Sequence, residues 1–402
     1  MPTAIFLFLA AFVALNTVNA LRPPATHRSW WARPPWFPTL FASELAPLRF
    51  VAGVAITAAY LAAGGGRTPM GRFAIGLMGT SLLGSGVVIA IAARAGAAAE
   101  AALSEPPGPG TATIRHRSAK RDTHWFQALT GWPYTMPAAI ERLDDIPYTP
   151  GYTLDIYRKK MSGPDPRPAL LYIHGGSWSN GDKRRSGMPL IHHLAETGWV
   201  AVVPNYPLSP EATFPEHLIG LKRAVAWMRK HGPAFGIDPG AIVVAGGSSG
   251  AHLAALLALT PGEDRYQPGF EGEDTSVGAA AVFYGVYDLH NRNRARDNWP
   301  LIPRDVMKLR PHEDPEAFHR ASPIDQVGPH APPFLVVHGG NDSLVPVAES
   351  IQFAEALRAA STREVFYLEV EGATHGFDSI ASFRTQSVVR GVRRFLERTL
   401  DR

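Results

Sequence analysis

The first ninety-nine residues hold only eight charged side chains, and three apolar stretches between them hold none: Ala4–Leu21, Phe50–Gly66 and Phe73–Ala93. Such stretches have few ways to fold. In hydrocarbon every backbone N–H must find its partner within the segment, which leaves the helix as the only single-segment solution. About 20 apolar residues cross a bilayer core and about 17 is the lower limit. Residues 1–99 are therefore expected to form a membrane region with about three spans (4–21, 50–66 and 73–93). The second is short, so Arg49 at its edge would have to snorkel. In the third, Gly76, Thr80 and Gly84 recur every fourth residue and offer a ridge for close helix approach. Trp30, Trp31, Trp36 and Phe37 have the character of an interfacial belt. Val18-Asn19-Ala20 resembles a signal-cleavage site, but no Lys or Arg precedes the apolar run, which favours a retained span.

Charge placement narrows the function classes. The chain has 39 basic and 35 acidic residues, and removing the first ninety-nine leaves 32 and 34. The overall basicity thus belongs to arginines flanking apolar segments and not to a groove, which argues against a nucleic-acid partner. Cysteine is absent, which excludes disulfides, thiol nucleophiles and thiolate zinc sites. Residues 100–139, with Glu105-Pro106-Pro107-Gly108-Pro109-Gly110 and then Arg115, Arg117, Lys120 and Arg121, read as a linker. Arginines near the span ends count five on the side of the 22–49 loop against two, Arg67 and Arg72, on the other. That bias predicts a domain after the third span facing the cytoplasm.

From residue 140 to 402 short β-rich runs alternate with amphipathic helices. Strands are predicted at Tyr152–Tyr157, Ala169–Ile173, Trp199–Val203, Ala241–Ala245, Val277–Tyr284, Phe334–His338 and Val365–Val370. Helices are predicted at 216–230, 251–259, 347–359 and 382–398. Near-continuous apolar strands separated by helices imply an α/β domain, its mostly parallel sheet covered by helices on both faces.

Gly246-Gly247-Ser248-Ser249-Gly250 falls between a predicted strand and a predicted helix. In that context G-x-S-x-G forms a sharp turn that lifts the serine hydroxyl clear of the sheet. Upstream, a strand ends in His174-Gly175-Gly176-Ser177-Trp178. Backbone N–H groups there, near Gly175 and Gly176, together with that of Ser249, can form an oxyanion hole. Asp342 follows one later strand and His375 the next, 94 residues after Ser248 and 33 after Asp342 respectively. Loops after successive parallel strands open on one edge, so the three side chains can converge. A serine needs an imidazole base, and the base needs a carboxylate to orient it. Asp378 is read as a turn residue, Asp288 and Asp305 as structural, and His192 and His193 as surface or packing residues and not metal ligands.

These motifs, with the segments 205–218, 274–289, 321–342 and 372–377, resemble the α/β-hydrolase carboxylesterases and lipases of the hormone-sensitive-lipase type. Within that group the chain is most similar to membrane-attached mycobacterial Lip-type enzymes. The resemblance implies an α/β-hydrolase fold and Ser248, Asp342 and His375 as the catalytic residues, with Ser177 standing where the usual oxyanion motif has a third glycine. It implies a serine ester hydrolase working through an acyl-enzyme on a small-molecule or lipid ester, with membrane lipids as surroundings and no cofactor or metal. An amidase of the arylformamidase type, or a catalytically silent receptor or scaffold on the same fold, are the alternatives. The 285–331 insertion is expected to be a lid.

Overall fold

The computed structural model describes residues 1–23, 36–103, 126, 136–160, 165–296 and 299–400. Trp30, Trp31 and the basic run 115–121 lie outside them. Four helices open the chain: α1 (Thr3–Leu21), α2 (Trp36–Glu44), α3 (Ala46–Ala62) and α4 (Pro69–Ala102). Two of these, α1 and α4, are long and apolar enough to cross a membrane. Phe6 and Ala10 cluster with Tyr60, Ala74 and Met78, whereas Ala20 clusters with Ala42, Ala46 and Val88. So α1 and α4 run parallel and α3 returns between them.

The helix of the second expected span, α3, starts earlier than that stretch and is bent 88° from α2. Pro47, in its first turn, cannot donate to the carbonyl four residues back, which breaks the helix there. The Arg49 guanidinium donates to the carbonyls of Ala42 and Val13 and to Thr17 Oγ1. The expected ridge is only partly a seam. A Cβ on Gly84 would sit 2.6 Å from Thr17, but Gly76 faces open space. The packed face is instead Ala74, Met78, Ser81, Ser85 and Val88.

The α4 helix has 34 residues, ~50 Å at 1.5 Å each, against a hydrocarbon core of ~30 Å. Its last turns reach the α/β region. Ala95, Ala99 and Leu103 join a core with Val388, Val389, Val392 and Phe395.

Eight strands form one sheet: β1 (Ile140–Thr149), β2 (Tyr152–Lys159), β3 (Arg167–Ile173), β4 (Val200–Pro204), β5 (Ile237–Gly247), β6 (Ala280–Phe283), β7 (Phe334–Gly339) and β8 (Val365–Val370). Their order is β1-β2-β4-β3-β5-β6-β7-β8. The first two pairings are antiparallel and all later ones parallel. The central strands are buried on both faces, which is why their sequences read as unbroken apolar runs. One face is covered by α6 (Glu216–His231), α7 (Ser249–Leu259) and α9 (Val347–Ala360). The other is covered by α5 (Met188–Glu196) and α10 (Phe383–Thr399), with the end of α4 against α10. The described part of the 285–331 segment is mostly irregular, with a π-helical turn at Ile302–Val306, one short α-helix, α8 (Pro315–Arg320), and a 3-10 turn at Pro323–Asp325. It is packed down: Ile302, Val306, Met307 and Phe318 join the core beside α7, and the Phe214 N–H donates to the Val306 carbonyl at 2.8 Å.

Candidate active site

The β5 strand ends at Gly247, and α7 begins at Ser249, leaving Ser248 alone in the turn with φ 57° and ψ −124°. That backbone conformation is costly for a residue with a side chain and persists only where the surroundings enforce it. They do: the Ser248 N–H donates to the Phe283 carbonyl at 2.9 Å, and its own carbonyl accepts from Ala251 and His252. The turn needs Gly250, because a Cβ there would lie 2.2 Å from the Ile173 carbonyl oxygen.

The loop after β3 lies against this turn. A Cβ on Gly175 would come within 2.7 Å of the Gly247 oxygen and 3.2 Å of the Ser248 Cβ. Among the described residues, the N–H groups of Gly175, Gly176 and Ser249 donate to no backbone acceptor. The loop is held from several sides. His174 Nδ1 lies 2.9 Å from the Gly175 carbonyl oxygen, its ring stacks on Tyr206, and the Tyr206 hydroxyl donates back to the His174 carbonyl. Trp178 Nε1 donates to His252 Nδ1 at 3.1 Å, and His252 Nε2 meets the Ala321 carbonyl at 2.7 Å. His252 is thus neutral, donating at one nitrogen and accepting at the other, and burial pushes its pKa down to about 3. This chain ties the glycine loop, the helix after the serine and the 285–331 segment together.

At the next strand ends the Ser248 hydroxyl meets His375 Nε2 at 3.0 Å, and His375 Nδ1 meets Asp342 Oδ2 at 2.7 Å. The other Asp342 oxygen accepts from the Leu344 and Val345 N–H groups. Burial works against ionisation of Asp342, but the charge and hydrogen bonds of His375 and a hydrogen bond from His338 prevail and hold its carboxyl below the usual range. All three residues singled out in the sequence therefore meet in one hydrogen-bonded line.

Asp378 does not reach His375 Nδ1. It is buried and accepts from the Tyr284 hydroxyl, with Tyr284 standing between, its ring 4.5 Å from that of His375. Burial pushes the Asp378 carboxyl up to about 6 despite the bond from Tyr284. Asp288 accepts from the Arg292 N–H, and Asp305 pairs with Arg304, so both serve the segment they sit in. His192 and His193 are buried on α5, and burial pushes the His192 pKa down to about 4.

Two neighbours were not visible in the sequence. His338, on β7, places Nε2 3.2 Å from Asp342 Oδ2 while Nδ1 meets Ser350 Oγ at 2.6 Å. Tyr284 backs His375 from the end of β6. The only available signal was that each lies at the end of a strand next to one bearing a site residue.

The BD-FAE family model matches residues 154–357. LipM of Mycobacterium tuberculosis, named a probable carboxylic ester hydrolase, is 37% identical over 97% of this chain and 92% of its own length. Esterase LipQ of the same organism is 44% identical over 63% of this chain, and the alignment spans 61% of LipQ. Among solved structures, esterase 2 of Thermogutta terrifontis phosphonylated by sarin is 26% identical with a TM-score of 0.53, covering 66% of this chain and 94% of that one. A truncated carbohydrate esterase from gut microbiota shares the fold, with a TM-score of 0.57 at 22% identity over 65% of this chain and 97% of that one.

Proposed function

We propose that this chain, which belongs to the BD-FAE family and its hormone-sensitive-lipase-type carboxylesterases, hydrolyses carboxylic esters with Ser248 as nucleophile, His375 as base and Asp342 as orienting acid. The observation that carries this reading is the hydrogen-bonded line from the Ser248 hydroxyl through His375 to Asp342. Ser248 attacks the ester carbonyl carbon while His375 Nε2 takes its proton. Asp342 keeps the remaining imidazole proton on Nδ1 and stabilises the imidazolium that forms. The N–H groups near Gly175, Gly176 and Ser249 receive the negative charge developing on the carbonyl oxygen. The tetrahedral intermediate collapses, the alcohol leaves with the proton from His375, and an acyl-Ser248 ester remains. Water, deprotonated by the same histidine, then releases the acid. The sarin adduct of the Thermogutta esterase supports the choice of probe for such a nucleophile.

The 285–331 segment is read as the cover of the acyl side, since Trp299 and Leu301 pack at the edge of the core it shares with α7. The helical region is read as three crossings. Helices α1 and α4 are parallel and both end beside the α/β sheet, so the chain must return through α3. On that topology the arginine bias puts the α/β region, residues 140–402, on the cytoplasmic face after a 100–139 linker. Protease added to intact cells should then leave it uncut.

The test is a panel of p-nitrophenyl esters of graded chain length set against a p-nitroanilide and N-formylkynurenine. Ester turnover that vanishes in Ser248→Ala supports the reading. Preference for either amide would move the assignment to the arylformamidase class, and inactivity on every substrate would move it to a silent scaffold.

A further inference from the structure

The two loops that carry Asp342 and His375 are fastened to the N-terminal helices at three polar points. Asn341, immediately before Asp342, donates from Nδ2 to the Ala20 carbonyl at 3.1 Å. Ala20 lies in the last turn of α1, where carbonyls lack a partner in the helix. Ser43, near the end of α2, donates to the Gly372 carbonyl at 3.3 Å, three residues before His375. Glu44 pairs with Arg384 at 2.9 Å, neither side chain having any exposure, and its second oxygen accepts from Ser382 Oγ at 2.6 Å. Thr385, next to Arg384, donates to the Phe377 carbonyl and so closes the chain onto the histidine loop. The two loops are also laced to each other: the Gly340 N–H donates to the Val370 carbonyl and the Asn341 N–H to the Ala373 carbonyl.

Attachment alone does not require this chemistry. The tail of α4 already packs on α10 through small residues, with Gly96 against Ser387 and Gly391 against Leu103. A fully buried ion pair adds little stability over apolar residues of the same volume. What it adds is a fixed geometry, and here that geometry joins the helices to the two loops whose separation sets the Asp342–His375 contact. We infer that Glu44, Arg384 and Asn341 are positioning residues through which the N-terminal helices hold the acid and base loops in register. The inference rests on the reading of Ser248, His375 and Asp342 as the catalytic groups. Misplacing a reacting group by ~1 Å costs on the order of 10²-fold in rate, so loosening these ties lowers turnover without changing how substrate is bound.

The experiment uses the full chain in lipid nanodiscs. Asn341→Ala, Glu44→Gln and the double variant Glu44→Gln with Arg384→Met are compared with wild type on p-nitrophenyl butyrate. The second-order rate of labelling by a fluorophosphonate is measured alongside. The double variant leaves no charge buried alone, so it keeps the fold where Glu44→Gln by itself fails to. Expected are a kcat lowered at least ~10-fold in the double variant and severalfold in Asn341→Ala, with KM within about twofold and labelling slowed by the same factor as kcat. A kcat and labelling rate within twofold of wild type in both variants overturns the proposal, as does a loss accounted for by the fraction of unfolded protein. Ser248→Ala is run in parallel. If it still hydrolyses the ester, the catalytic assignment itself fails, whereas an inactive Ser248→Ala beside fully active Asn341 and Glu44 variants sinks only the positioning role.

Discussion

Replacing Asp378 by asparagine should make this protein more stable at pH 8 and no more stable at pH 3.5. The carboxyl is buried, its Oδ1 accepts from Tyr284, and its Oδ2 has no hydrogen-bond partner among the described residues. Burial raises its pKa from 3.8 to about 6 in the folded chain. A group whose folded pKa is raised contributes stability that is fully present below the unfolded value and lost as pH rises through the folded one. About two pH units at 1.36 kcal/mol each come to about 3 kcal/mol. Asparagine keeps an acceptor for Tyr284 and never ionises, so the variant retains at pH 8 what the wild type has lost. With ~2–4 °C per kcal/mol for a large domain, the thermal midpoint should rise by roughly 6–12 °C at pH 8. Intrinsic-fluorescence melts of both proteins at pH 8, 6 and 3.5 read this directly. An equal gain at all three pH values, or none at pH 8, would refute the burial argument.

Asp342→Asn should lower kcat by on the order of 10⁴-fold, whereas Asp378→Asn should retain most activity at pH 8; equal losses would overturn the choice of acid. Ser248→Ala should abolish fluorophosphonate labelling and leave the melting profile intact, and full labelling of that variant would remove Ser248 from the mechanism. Gly250→Ala should destabilise the turn by several kcal/mol because its Cβ would collide with the Ile173 carbonyl, so a soluble, active variant would contradict the geometry. Polar replacements at Trp299 and Leu301 should shift the ester optimum toward shorter chains, and an unchanged profile would count against a lid.

Legibility in the sequence follows what a one-dimensional pattern can report. The strands β3, β4, β5 and β7 are buried on both faces and announce themselves as apolar runs, so the turns that follow them, with Ser248 and Asp342, could be placed by number alone. The β1 strand escaped because it is an edge strand: Arg142, Asp144 and Asp145 are exposed, and Pro147 interrupts the pattern. His338 and Tyr284 escaped for another reason. Their relation to Asp342 and His375 exists only between neighbouring strands, and order along the chain does not encode it. In the N-terminal helices hydropathy located the apolar stretches, but it was blind to the bend Pro47 imposes and to the carbonyls Arg49 reaches. The seam of α4 likewise follows the position of α1, which no small-residue spacing in α4 alone could fix.

The continuity of α4 has a mechanical meaning. Because one unbroken helix runs from beside the N-terminus of α1 into the core with Val388, Val392 and Phe395, no joint lies along it about which the α/β region could swing. The α/β region is held beside the bundle by this packing, like a tool on a rigid shaft and not on a cord. A fragment cut after Leu103 would lose the shaft and bare an apolar strip of α10, so a soluble preparation of this enzyme needs that strip resurfaced before its activity is compared with that of the whole chain.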